Sequence, residues 1–204
     1  MADTFPSMSK LLNALSARDN YVVHADGSRG SRVKIFAPHG GCIEPGTEAL
    51  ALAISLDRFD YFIFSGKRKK GCFQTLHVTS THYDEPRCLQ MAQEAEVALA
   101  IHGCDGDESA IHVGGGNVGL VSNLCHYFDD QKFPAFLATG QMKGEDERNF
   151  INRSQQKGVQ IELSVGFRKH LFPGFPKTVQ RHPQEFPRFV ESMRRWLMKI
   201  DHNL

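Results

Sequence analysis

The chain is poor in the features that would tie it to a membrane, a nucleic acid or a disulfide scaffold. Its longest apolar stretches, Ala49 to Ile54 and Val97 to Ile101, fall far short of the roughly 20 residues that a bilayer-crossing helix needs. Charge of one sign is also missing. Lys and Arg number 24 against 23 Asp and Glu, so the net charge is +1, which excludes a general nucleic-acid or membrane-surface binder. Five cysteines, odd in number and with no CxxC pair, argue against a disulfide framework and for a reducing cytoplasm. Met1 to Leu15 carries a lone Lys10 and no continuous apolar core, so no signal peptide is expected. A cytoplasmic location follows, with cell lysis as the route out. What is present suits one globular domain over residues 1–204, with 1–19 as an amino-terminal extension or helix. Hydrophobic residues make up 41% against 23% charged, enough to bury a core and too apolar for disorder.

Strand-like and helix-like segments alternate. Val33 to Ala37 reads as a buried strand stopped by Pro38, and Thr47 to Phe59 as a helix capped by Thr47. Tyr61 to Phe64 is a second apolar run. Leu76 to Thr81 alternates with period two and predicts a third strand. Pro86 to about Ala95 predicts a helix capped by Asp84 or Glu85. Val97 to Ile101, Ala110 to Val113, Phe133 to Leu137 and Val159 to Leu163 read as further strands, and Asn117 to Phe128 as a helix. Phe186, Phe189, Val190, Met193, Trp196, Leu197 and Ile200 mark one face of a final helix. The implied fold class is α/β: a mixed, mostly parallel central sheet with helices on both faces. In such folds functional residues gather at the carboxyl ends of the strands.

Three of those strands bring chemistry with them. The first runs into His39-Gly40-Gly41-Cys42-Ile43-Glu44, another ends in His102-Gly103, and Val159 to Leu163 contains Glu162. Two imidazoles and a carboxylate are a three-donor set for catalytic zinc, and a separate carboxylate can serve as general base. Gly40 and Gly41 allow the tight turn that would let His39 and Glu44 converge. Each piece has a bland reading. A histidine at a strand end is more often a hydrogen-bonded residue than a ligand. Glu162 could form a structural ion pair with Arg153 or Arg168, and the Cys42 thiolate could compete with Glu44 for a metal.

Taken in order, these residues resemble the phage-type poly-γ-glutamate hydrolases, zinc enzymes with a carboxypeptidase-like fold. The resemblance rests on Ala37-Pro38-His39-Gly40-Gly41-Cys42-Ile43-Glu44-Pro45-Gly46-Thr47, Leu76-His77-Val78-Thr79-Ser80-Thr81 and Asp84-Glu85-Pro86. It continues through Ile101-His102-Gly103, Val113-Gly114-Gly115, Asn152-Arg153 and Gly158 to Ser164, and spans roughly residues 20–200. It implies that His39, Glu44 and His102 hold one zinc and that Glu162 is the general base. It also implies that Asn152 and Arg153 grip a substrate carboxylate, with Arg153 alternatively polarising the scissile carbonyl. The implied reaction is zinc-dependent hydrolysis of γ-glutamyl amide bonds in a polyanionic γ-glutamyl polymer or peptide, with neither nucleic acid nor membrane as partner.

Two alternatives stay open at this point: a zinc amidase or peptidase acting on another γ-glutamyl substrate, such as a cell-wall peptide, and a non-catalytic anion- or peptide-binding domain of the same fold. Lys67-Arg68-Lys69-Lys70 is the one dense basic run, read as a solvated loop or as a means of attracting polyanions. His77 is left without a role. Gly114-Gly115-Gly116-Asn117 lacks the Lys-Ser/Thr of a phosphate loop and predicts a tight strand-to-helix turn.

Overall fold

Along Val33–Gly41, Val33, Ile35 and Ala37 face one hydrophobic cluster while Phe36 faces another, and this alternation divides the molecule into two layers about a sheet. The computed structural model describes residues 3–203. Its seven strands are β1 (Tyr21–Asp26), β2 (Val33–Gly41), β3 (Asp60–Gly66), β4 (Val97–Cys104), β5 (Ile111–Gly114), β6 (Ala135–Leu137) and β7 (Val159–Ser164). They lie in the order β1-β3-β2-β4-β7-β5-β6. The centre, β3-β2-β4-β7, is parallel; β1 and β5 pair antiparallel with β3 and β7, and β6 runs parallel to β5.

Helices cover both faces. In chain order they are α1 (Met8–Ala14), α2 (Ala17–Asn20), α3 (Thr47–Ser55), α4 (Cys72–Leu76), α5 (Pro86–Glu94), α6 (Val118–Asp130), α7 (Val165–Leu171) and α8 (Glu185–Asn203). One layer holds α3, α6, α7 and α8, and all seven periodic apolar residues of α8 lie in its cluster. The other layer holds α1, α4 and α5, through residues such as Met8, Leu76 and Met91. The side chains of β4 alternate between the layers, with Val97, Leu99 and Ile101 in the first and Ala98 and Ala100 in the second. The next residue of the second set is His102.

Several local expectations are corrected. Leu76 to Thr81 is not a strand: α4 ends at Leu76, an extended stretch follows, and Ser80–His82 is a 3-10 turn. Its period-two pattern is real, because Leu76 and Val78 are buried while Thr79 is exposed, but its backbone groups bond to side chains instead of a neighbouring strand. Thr47 does not cap α3. Gly46, at φ 100°, occupies that position, and the Thr47 hydroxyl donates to the Glu44 carbonyl at 2.9 Å. The helix also stops at Ser55, short of Phe59, with Leu56 at φ 40°. β1, an antiparallel edge, went unread in the sequence.

The largest correction concerns cysteine. Cys42 and Cys72 form a disulfide that ties the turn after β2 to the start of α4, with Cα atoms 5.8 Å apart. Spacing could not signal it, since the two meet only once β3 and α4 have folded back. The sulfur of Cys42 is therefore not a free thiolate donor. Cys72→Ser is expected to lower stability by about 3.5 kcal/mol, because the bridge closes a loop over a sequence separation of 30. Urea unfolding with and without reductant measures this, and coincident curves would contradict it.

Candidate metal centre and cleft

β2 carries an extra residue relative to β3: Ala37 pairs with Ile63, but Gly40 pairs with Ser65. A bulge of this kind re-aims the side chains that follow it. Ala37 faces the first layer, and without the extra residue His39 would follow it there. Instead its ring lies 6.1 Å from Tyr83 and 4.2 Å from His77, on the second side. The turn continues through Gly41 at φ 64°, where an added Cβ would overlap the Gly66 carbonyl. That reversal returns Glu44 beneath His39, and the Glu44 amide donates to the His39 carbonyl at 2.9 Å.

His102 reaches the same place from β4, and Glu162 stands directly beside it on β7 in the parallel register. His39, His102 and Glu162 thus occupy the carboxyl ends of three adjacent parallel strands on one face. His39 Nδ1 is 3.0 Å from Glu44 Oε1 and 3.2 Å from His102 Nδ1, and His102 Nδ1 is 3.8 Å from Glu44 Oε2. All three side chains are buried. The Glu44 carboxylate also accepts from the Gly103 amide at 2.8 Å.

This donor set fits a divalent cation. His39 Nε2 lies 2.9 Å from the Val78 carbonyl, which can only accept, so Nε2 carries the hydrogen and Nδ1 offers its lone pair to the cluster. Two imidazole nitrogens and a carboxylate then crowd together, and His102 Nε2 is buried without a hydrogen-bond partner. Burial would raise the Glu44 carboxyl, but His39 and then His102 more than offset it, and the group sits at about 2. Burial pushes His102 down to about 3. Burial lowers His39, but Glu44, the Val78 carbonyl and Asp3 together raise it above its ordinary value. Both nitrogen and oxygen donors at His102 and Glu44 are thus unprotonated near neutral pH.

Glu162 has a different environment. Burial, and then the nearby Glu44 charge, raise its carboxyl well above the ordinary range, with Arg168 only partly compensating. It makes no ion pair with Arg153 or Arg168 among the described residues; its one side-chain partner is Gln160 Nε2 at 3.1 Å. Arg168 instead donates to the carbonyls of Leu163, Pro45 and Cys104 at 3.1, 3.2 and 2.9 Å. It thereby clamps the ends of β7 and β4 to the turn that bears Glu44, and a Cβ on Gly103 would meet its guanidinium at 2.7 Å. Nothing in the spacing of the sequence marked it for that task.

A cleft of about 840 Å³ opens over the cluster, and its lining includes His77, Thr79 to Thr81, residues 140–146, Arg148 and Asn149. Lys143 and Arg148 are among its lining residues, whereas Asn152, Arg153 and the run Lys67 to Lys70 are not. The Asn152 side chain is committed within the fold. It accepts from the amides of Gly116 and Gly158 at 2.9 and 3.3 Å and donates to the carbonyls of Gly144 and Asp146 at 2.7 and 2.9 Å. Arg153 is exposed. Asn152→Ala is accordingly expected to destabilise the protein by about 2 kcal/mol or more through the amides it leaves unpaired. Arg153→Ala should stay within about 0.5 kcal/mol of the parent in the same urea titration; equal losses would contradict this.

His77, unassigned in the sequence, faces the cluster. Its Nδ1 is 2.8 Å from Asp3 Oδ1 and its Nε2 is 3.9 Å from Glu44 Oε1. The signal was available in its motif, but the strand reading of Leu76 to Thr81 hid it.

Known proteins share this fold. The family model described as poly-gamma-glutamate hydrolase matches residues 5–192. The UPF0714 protein YndL of Bacillus subtilis (strain 168) is 34% identical over 200 residues, covering 96% of this chain and 78% of that protein. A structure of a bacteriophage poly-gamma-glutamate hydrolase superimposes with a TM-score of 0.91 at 29% identity, covering all of both chains. A zinc-free structure of YndL gives 0.90 at 33% identity over 98% of this chain and 99% of that one.

Proposed function

Because the chain belongs to the poly-γ-glutamate hydrolase family, we propose that it is a zinc-dependent hydrolase of γ-glutamyl amide bonds, acting on poly-γ-glutamate. His39, Glu44 and His102 hold the ion in this reading, one per chain, and Glu162 is the general base. The observation that carries it is the 3.0–3.8 Å convergence of those two imidazoles and one carboxylate beside a second carboxylate at the strand ends. Zinc, when bound, lowers the pKa of water to about 7 and polarises a carbonyl.

The rest of the work falls to the protein's own side chains. Glu162, with its raised carboxyl, accepts the proton of the attacking water and returns it to the leaving amine. Gln160 holds Glu162 Oε1 and also donates to the Met142 carbonyl, which fixes the base against the cleft wall. A polymer bearing one carboxylate per residue needs cations along its path. Lys143 and Arg148 line the cleft and supply such cations, beside the carboxylate grip read from Asn152 and Arg153 in the sequence.

Metal analysis combined with polymer-size analysis tests the reading. About one zinc per chain and shortening of poly-γ-glutamate are the expected results. Cleavage of a cell-wall stem peptide with the polymer spared would move the substrate to the second γ-glutamyl class. No zinc after zinc addition would leave a non-catalytic binder.

A further inference from the structure

The run Lys67-Arg68-Lys69-Lys70 takes no part in the cleft, yet the fold does not leave it as a loose loop. The Lys67 amide donates to the Asn20 carbonyl at 2.8 Å, and the Arg68 guanidinium donates to the Asn20 side-chain oxygen. Two residues past Lys70, Cys72 is bridged to Cys42 in the turn that bears Glu44. The run is thus tied down at both ends. Lys67, Lys69 and Lys70 are exposed, as is Arg18, and none of the four forms an ion pair among the described residues.

Lys67 also lines a groove of about 570 Å³ that shares no lining residue with the cleft. Arg18 and Arg87 join it there, giving the groove three cations. Its one carboxylate, Glu85, is buried and already committed, accepting from the Cys88 amide at 2.6 Å and from Arg87 Nε at 3.4 Å. β1 lines the groove through Tyr21 to Val23 and forms the edge of the sheet, so one row of its backbone groups has no strand partner. Tyr21 pairs with Gly66, the last residue of β3, which puts the groove at the same end of the sheet as His39 and His102. β1 lies two strand spacings from β2, about 10 Å.

We propose that this groove and the basic run form an accessory site that holds poly-γ-glutamate away from the bond being cut, with Arg18, Lys67, Lys69 and Lys70 pairing with its carboxylates. The proposal rests on the hydrolase reading above and deepens it by giving the same polymer a second hold. A chain of net charge +1 exerts no general pull on polyanions, so the attraction comes from the six cations gathered at Arg18, Lys67 to Lys70 and Arg87. The free edge of β1 adds N–H groups that can donate to the polymer's amide carbonyls and carboxylates. A long polymer can occupy groove and cleft together, and once held in one it stands at high effective concentration in the other.

A variant combining Arg18→Ala, Lys67→Ala, Lys69→Ala and Lys70→Ala, all at exposed positions outside the cleft, tests it. On long polymer its KM should rise about tenfold or more, with kcat unchanged and a shallower dependence on added salt. On the shortest γ-glutamyl oligomer that the parent cleaves, kcat/KM should match the parent. Fluorescence anisotropy of labelled long polymer, measured with both chains in a Glu162→Gln background, should show the same weakening of binding. Unchanged KM for long polymer, or an equal loss on polymer and oligomer, overturns the proposal while the hydrolase reading stands. Tighter binding of a DNA oligonucleotide of equal charge than of the polymer overturns it in favour of a nucleic acid. If the parent binds polymer without cutting it, the hydrolase reading fails and the binding comparison alone decides the groove.

Discussion

Glu162→Gln is expected to retain one zinc per chain and to hydrolyse poly-γ-glutamate about 10²–10⁴-fold more slowly in kcat. That loss corresponds to about 3–5 kcal/mol in the barrier. The reason lies in register. Glu162 pairs with His102 across β4 and β7, beside the ion site but not within the 3.0–3.8 Å cluster of donors. Burial and the Glu44 charge hold its carboxyl high, which suits a group that must take up a proton and release it again. Glutamine has the same shape and can keep the contact to Gln160, yet it has no basic carboxylate. Zinc content by elemental analysis and kcat from polymer-size analysis decide the matter. Full activity in the variant would remove Glu162 from the role of base.

His102→Ala is expected to act the other way, abolishing activity by losing the metal, with zinc content below about a tenth of the parent after dialysis. His102 is one of two imidazoles whose Nδ1 atoms face each other at 3.2 Å, and its loss takes away one of the three donors that hold the ion in this reading. The fold should survive, because His102 Nε2 has no hydrogen-bond partner to lose and its Nδ1 contacts only the cluster. An inactive variant that still held stoichiometric zinc would show that His102 serves some purpose other than binding. The two variants separate cleanly: one keeps metal without turnover, the other has neither.

The legible parts of the site were those written in contiguous residues or in strand ends. His39 and Glu44 share one turn, and His102 closes an unbroken apolar strand, so both could be read from pattern. Asn152 and Arg153 are harder to read, for the opposite reason. A polar Asn-Arg pair looks the same whether it faces substrate or closes loops, and four hydrogen bonds to Gly116, Gly158, Gly144 and Asp146 put Asn152 in the second category. Leu76 to Thr81 misled because alternating burial reports an extended chain, not a strand partner.

Apolar periodicity in the chain alone determined the α/β class, the largely parallel sheet and the face of α8, since burial energy is local to each segment and leaves its period in the residues. Only the tertiary structure decided the Cys42–Cys72 bridge, the approach of Asp3 to His77, the clamp at Arg168 and the turning of His39 by a bulge. Each of those depends on where two distant segments lie in space. That is a consequence of chain closure around the whole core, and no short window of sequence carries it.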